Sequence, residues 1–415
     1  MDTLKKQYLE NQKLFWYMIL AGVMLAGSFL YFVISGNGYS KTVLTENNFS
    51  DYFAHVAMSS DPKNLYRYAP ASCFPPLAYC FYYLLWKINP YVQEDRWEWE
   101  AWRSADNNLL ILIMLSMLLA ILLFYLIARF FANGKPALEI QLILTILILF
   151  SYPFFCTSIQ RGNSVGFVAI LLGYAVLFRD SESKVLRELA LILIAVSTGF
   201  KVYPACFGLL YLKDRRWKEA FRLIIYGILF FFVPFVFFGG LEGLTLFIAQ
   251  MLEREQRVVM KWGTIRGIIN IFMNHFNVST ELGNSIGMIA EELFLLVSIV
   301  MIVLCKKKWK SLLYLAGIMM LWIPTNWMYT TTYLLPSFLT FLTEKETEEN
   351  KYSDFFYVLM FSMIFGLPGF FANVQISASL DFGMYGGVYM VVYILLFVSL
   401  IEDGAKMLKW KRKAE

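Results

Sequence analysis

Three charged residues carry most of the chemistry available to this sequence. Gln160-Arg161-Gly162-Asn163 and Gly199-Phe200-Lys201-Val202-Tyr203-Pro204 each interrupt a long apolar run. An ionised side chain near bilayer depth costs at least about 2.5–3.5 kcal/mol, so it is a functional-site candidate by default. Both interruptions also carry Gly or Pro, which stop a helix or let backbone approach a ligand. Arg161 and Lys201 are therefore expected to meet an anionic ligand; the plainer reading is two snorkelling or pore-lining cations. The third residue is Asp51, in Asn48-Phe49-Ser50-Asp51-Tyr52-Phe53-Ala54-His55, shortly after the first long apolar run. Helical spacing puts Asp51 and His55 on one face. One carboxylate opposed by two cations suits a reaction in which a hydroxyl attacks and a phosphate departs. A single base takes the proton and the cations stabilise the leaving charge, so no general acid is needed. The competing reading makes Asp51 a helix N-cap. His55 reads as a hydrogen-bonding neighbour, not a catalyst.

The elements that must position these residues are membrane helices. The chain has 415 residues, 59% of them hydrophobic and 16% charged. A soluble domain carries about 25% charged residues, so this is an integral membrane protein. An aromatic content of 18% suits belts at two interfaces. The five cysteines are scattered and His55 and His275 are the only histidines, so no Cys/His metal centre and no cofactor is expected. A lone carboxylate neither demands nor excludes a divalent ion. The net charge of +5 does not imply nucleic acid, because the charge is partitioned between the two sides of a membrane. Lys5, Lys6 and Lys13 precede an apolar run from about Phe15 to Ser35 with no A-x-A-like cleavage site after it. This reads as a first transmembrane helix with its N-terminus inside.

Basic clusters at Arg129 to Lys135, Arg179 to Arg187, Lys213 to Arg222, Lys306 to Lys310 and Lys406 to Lys413 orient the rest. Holding them in the cytoplasm predicts helices near 108–131, 138–157 and 164–178, then a broken pair near 188–200 and 203–212. Further spans are expected near 220–239, 284–305, 311–325, 328–343, 353–371 and 384–401. The expected fold is thus all-α, a single polytopic membrane domain of roughly 11–13 crossings by helix length. Phe74 to Ile88, opened by Pro75-Pro76 and followed by the acidic stretch 94–100, reads as re-entrant or interfacial. Residues 36–107 and 240–282 then fall on the outer side, before C-terminal helices over 283–402 and a cytoplasmic tail over 403–415. In the second outer segment Arg254, Arg257, Lys261 and Arg266 occur with Trp262 among them, and Arg254, Arg257 and Lys261 are expected on one basic face of an amphipathic helix. Such a helix can hold an anionic headgroup or simply anchor to lipid phosphates. The tail Lys409-Trp410-Lys411-Arg412-Lys413 reads as a lipid-headgroup anchor.

These residues in this order resemble a known family. Asp51 follows the first helix; then come Phe74-Pro75-Pro76-Leu77, Arg161-Gly162-Asn163, Lys201-Val202-Tyr203-Pro204 with Arg215-Arg216-Trp217-Lys218 behind it, and Pro324-Thr325-Asn326-Trp327. The chain is similar to GT-C superfold glycosyltransferases. It most closely resembles glycosyltransferase family 87, the polyprenyl-phosphate-mannose-dependent mannosyltransferases of bacteria. The resemblance covers roughly 15–345. It implies that Asp51 is the base, that transfer inverts the anomeric centre, and that a polyprenyl-phosphate sugar enters from the membrane on the outer side. Arg161, Lys201, Arg254 and Arg257 are then expected on the donor phosphate. His55, Asn163, Tyr203, Lys261, Trp262, Asn326 and Tyr329 are expected on the substrates, with a lipid or glycan as acceptor and membrane lipids as surroundings. Some members carry His after the late Pro-x-x-Trp turn; this chain has Met328-Tyr329-Thr330, and Tyr329 carries no charge at neutral pH. The alternative class is a secondary transporter or lipid-linked sugar flippase, but no second copy of the Arg161 or Lys201 motif supplies the repeat it would show.

Overall fold

A computed structural model describes residues 11–35, 49–68, 73–90, 106–132, 136–257, 263–322, 328–344, 351–366, 375–377, 380–381 and 386–414. Apart from a short antiparallel pairing of β1 (Gln375–Ser377) with β2 (Leu380–Asp381), these residues are helical or irregular. Five helices are long and apolar enough to cross a membrane: within Gln12–Tyr31, Leu110–Phe130, Trp217–Val236, Thr280–Leu304 and Gly387–Met407. The chain is therefore a polytopic membrane protein. Several of the other expected spans are shorter or interrupted. The one near 138–157 stops at Phe150 and continues as a π-helical turn over Phe155–Ile159. The one near 311–325 becomes π-helical at Ile318–Trp322.

The chain forms two compact units. The second unit, residues 44–126 and 156–258, contains α2 (Ser50–Met58), α3 (Pro76–Ile88), most of α4 (Asp106–Phe130), α6 (Val165–Arg179), α7 (Lys184–Phe200), α8 (Gly208–Lys213), α9 (Trp217–Phe232) and α10 (Gly240–Arg257). Helix α3 opens on Pro76, whose missing N–H is no loss in a first turn. At 1.5 Å per residue it is about 20 Å long, shorter than a hydrocarbon core of about 30 Å. Its apolar face joins an aromatic core of Tyr52, Phe53, Tyr66, Phe74, Tyr79, Tyr82, Phe235 and Phe247. Close approaches to this core require small residues. A Cβ on Gly199 at the end of α7 would lie 2.6 Å from Leu77 Cδ2 and 2.9 Å from the Phe230 carbonyl.

The first unit, residues 1–43, 127–155 and 259–415, contains α1 (Gln12–Ser35), α5 (Leu138–Phe150), α11 (Ile265–His275), α12 (Thr280–Leu304), α13 (Lys308–Gly317), α14 (Leu335–Thr343), α15 (Lys351–Phe365) and α16 (Gly386–Ala414). Trp309, Phe338, Phe341, Tyr357 and Phe361 stack edge-on or tilted in its core. A buried charge network ties α13 to α16. Lys310, fully buried, donates to Glu402 Oε2 at 2.9 Å and to Asp403 Oδ1 at 2.7 Å. Tyr314 and Tyr357 donate their hydroxyls to the same two carboxylates.

The expected amphipathic helix over the second outer segment is two helices. α10 ends at Arg257 and α11 begins at Ile265. Arg266, the remaining cation of that segment, is paired with Glu291.

Candidate active site

The N-terminus of α2 is built against the Arg161 turn, and that contact positions the carboxylate. The N-cap residue is Phe49, in the left-handed region at φ 56. No side chain caps the helix. Instead the Asp51 and Tyr52 N–H groups donate to the Arg161 carbonyl at 3.1 and 3.2 Å, and the Phe49 N–H donates to the Gln160 carbonyl at 2.6 Å. These bonds satisfy helix-start donors that would otherwise be orphaned. They also hold Phe49 in a conformation a bulky residue rarely adopts. The N-cap reading of Asp51 is therefore overturned: Asp51 lies inside the first turn, and its side chain is engaged elsewhere.

That engagement is a clamp. Arg161 donates from Nη2 to Asp51 Oδ1 at 2.6 Å and from Nε to Oδ2 at 3.0 Å. Asn163 Nδ2 donates to Oδ2 at 2.7 Å. The Asn163 Oδ1 accepts from the Val165 N–H at 3.0 Å, which fixes the amide against the start of α6. Paired, charge-assisted bonds of this kind are the strong and directional ones. Both partners of the ion pair are largely shielded, at 12% and 14% exposure. Burial pushes the Asp51 carboxyl up, but the Arg161 charge and hydrogen bond, with help from His55 and Asn163, outweigh it and hold it below the ordinary value.

That direction fixes a pH expectation. A carboxyl with a depressed folded value contributes fully above its unfolded value, about 3.9, and loses the contribution only as pH falls through the lower folded one. Turnover should then show no acid limb from Asp51 between about pH 5 and 8. An acid limb within that range would mean that the titrating group is not Asp51.

Lys201 is the C-cap residue of α7 and only 4% exposed. Its Nζ stands 3.2 Å from the centroid of the Phe74 ring. The same ring lies 4.1 Å from the His55 imidazole, and Tyr79 Oη is 3.3 Å from His55 Nδ1. Phe74 thus links the lysine to the helix that carries Asp51. A cation over a desolvated aromatic face gains about 2 kcal/mol, which helps to hold it in place. Tyr203 follows in a 3₁₀ turn, half-buried. Behind Asn163 a cavity of about 30 Å³, lined by Tyr52, Tyr82, Ser158 and Ser164, has room for bound water.

The structure thus brings Asp51, His55, Arg161, Asn163 and Lys201 into one cluster of the second unit. Arg254 and Arg257 lie on the last turns of α10, in the same unit, with side chains outside those described. Tyr329 belongs to the first unit, in a 3₁₀ turn over Met328–Leu334; Lys261, Trp262 and Asn326 lie outside the described residues. Among the described residues no group of three or more His, Cys, Asp or Glu could hold a metal ion. Sequence reasoning set Asp51 opposite Arg161 and Lys201, but gave Phe74 no role and did not foresee that Asn163 binds Asp51 or that Arg161 clamps it through two bonds. The Phe before Pro75-Pro76 carried no charge to mark it, and no local spacing connects residue 51 with residue 161.

Residues 101–305 match the model of glycosyltransferase family 87. The matched region takes in Arg161, Asn163 and Lys201 and begins after Asp51. No curated protein matches the chain.

Proposed function

The chain is a membrane glycosyltransferase of family 87, and from that premise we propose that it moves a hexose, mannose on the resemblance above, from a polyprenyl-phosphate sugar to a hydroxyl of a lipid or glycan on the outer face of the membrane. The observation that carries this reading is one shielded carboxylate, Asp51, held by Arg161 and Asn163 with the buried cation Lys201 close behind Phe74. In the proposed step the acceptor hydroxyl gives its proton to Asp51. Its oxygen bonds to the sugar C1 from the face opposite the phosphate, the C1–O bond to phosphate breaks, and the electron pair leaves with polyprenyl phosphate. The anomeric centre inverts. Arg161 and Lys201 stabilise the departing charge.

Arg161 plays two parts in this scheme. Its one guanidinium can serve Asp51 or a phosphate, and a donor phosphate that draws it away makes Asp51 a stronger base when the acceptor needs one. Asn163 positions Asp51 and does not act as a substrate ligand alone. Arg254 and Arg257 are assigned to the donor phosphate. His55, Tyr203, Lys261, Trp262, Asn326 and Tyr329 are assigned to the sugar and acceptor.

Incubating the purified protein with labelled polyprenyl-phosphate mannose, and with the glucose analogue, plus host lipids and glycans tests the reading. Transfer of label to a lipid or glycan is expected. Absence of transfer from every polyprenyl-phosphate sugar would sink it. Lys201→Met keeps the stem over Phe74 and removes the charge. The KM for donor should rise about 10–100-fold, the usual range for a lost charged hydrogen bond. Unchanged donor affinity with normal activity would leave Lys201 a packing residue on Phe74.

A further inference from the structure

The first unit contains a cavity built around charged groups that the scheme above does not use. It measures about 380 Å³, lies between the first turns of α1 and α15, and is lined by Gln12, Lys13, Trp16, Asp354, Phe355 and Val358. Trp16 and Phe355 meet edge-on there, with ring centroids 5.9 Å apart. Lys13 and Asp354 form an ion pair at 3.3 Å, their side chains only 3% and 7% exposed.

Donors and acceptors around this pair are unequal. An ammonium has three donors. Those of Lys13 have three oxygens in reach: Asp354 Oδ2, the Glu344 carbonyl at 3.0 Å and the Phe341 carbonyl at 3.5 Å. Lys13 is thus fully engaged. Asp354 Oδ1, in contrast, is buried and meets no donor among the described residues, and Glu344 Oε2 is in the same condition. A buried acceptor on a charged group is strongly unfavourable when unmet, so such groups find a partner. The missing partner is a donor, not an anion for Lys13. A lone water needs about 30 Å³ and two to four polar neighbours. The cavity is far larger, and its Trp16, Phe355 and Val358 walls are apolar.

The position of the cavity narrows the occupant further. It lies at one end of Gln12–Tyr31, a stretch long and apolar enough to cross a membrane. That is headgroup depth, where Trp is enriched. Trp16, Ile19 and Val23 recur at helical spacing and are all exposed, which leaves an apolar face for acyl chains running away from the cavity. Helices α1 and α15 both begin at the cavity, and helix N-termini favour phosphate.

We propose that this cavity holds the headgroup of a zwitterionic aminophospholipid, its primary ammonium donating to Asp354 Oδ1 and its phosphate lying against the starts of α1 and α15. A phosphoethanolamine head combines a cation with three N–H donors and a phosphate. A choline head carries the same charges without an N–H, and a glycerol head has no cation to set beside the carboxylate. The site belongs to the first unit and does not depend on the glycosyl-transfer reading.

The test uses the full-length protein, stripped of lipid in detergent, and native mass spectrometry with phosphatidylethanolamine, phosphatidylcholine and phosphatidylglycerol of matched chains. Phosphatidylethanolamine should bind at least about tenfold more tightly than either of the others, the scale of one charged hydrogen bond. Asp354→Asn should abolish that preference. Because this change also leaves Lys13 unmatched, Val358→Phe serves as a second variant: it fills the cavity from its wall and keeps the ion pair. Loss of the preference in Val358→Phe would support the site. Equal affinity for the ethanolamine and choline lipids in the wild type, or a preference that survives Val358→Phe, would overturn it. Glycerophosphoethanolamine, the same head without chains, competing as well as the whole lipid would overturn a membrane lipid as the occupant in favour of a soluble amine.

Discussion

Asp51→Asn is expected to lower turnover by about two to four orders of magnitude, the usual contribution of general-base catalysis. It should also lower the melting temperature, because Arg161 is 12% exposed and loses the charge it is clamped to. Asn still accepts one bond, so the stability loss should be about 3 kcal/mol or less. The two effects separate in a double-variant cycle with Arg161→Met. Removing both charges should restore much of the stability lost in Asp51→Asn, while turnover at saturating donor stays low. If the Asn variant at saturating donor ran at the wild-type rate, Asp51 would not be the base, and the mechanism proposed here would be wrong.

Gly162→Ala is expected to disable the site without touching a charged residue. Gly162 has φ +65, and an added Cβ would fall 2.5 Å from Tyr52 Cβ and 3.3 Å from Leu112 Cδ2. The left-handed backbone alone costs an L-residue about 1–2 kcal/mol. The clash adds to that, because Tyr52 Cβ cannot swing aside as the tip of a flexible side chain could. The turn must then lift off α2 and take the Arg161 carbonyl from the Asp51 and Tyr52 N–H groups. Turnover should fall more than about tenfold with a lowered melting temperature, a core-clash effect of a few kcal/mol. Gly240→Ala is the control: φ is +61 but nothing lies within 4 Å of the new Cβ, so it reports the backbone cost alone. Equal behaviour of the two variants would mean the approach of Gly162 to Tyr52 is not what holds the turn.

The membrane class and most helix positions were legible because charge is scarce in this chain and each interruption of an apolar run stands out. Asp51, Arg161 and Lys201 were visible for the same reason. Their mutual geometry was not, since an Arg161 carbonyl capping α2 leaves no mark on residue types. The interruptions of helices at Ile318–Trp322 and Phe155–Ile159 were read as continuous spans, because a π-turn keeps the apolar composition of the helix around it. The pair Glu291-Glu292 was a missed signal of the very kind that revealed Arg161: two acids in the middle of an apolar run. Arg266 was grouped with other cations by spacing along the chain, and only the fold shows that it is matched by Glu291 from the next helix.

The buried network around Lys310 bears on how the chain is made. The carboxylates that accept from Lys310 come from α16, about ninety residues later in synthesis. Between the emergence of α13 and that of α16 the ammonium has to be kept hydrated or held at the headgroups, because an unmatched buried charge is strongly unfavourable. Glu402 and Asp403 meet the converse problem near the end of their own membrane helix. Each helix therefore completes the other's insertion, and the later one to leave the ribosome locks in place a helix translated long before it.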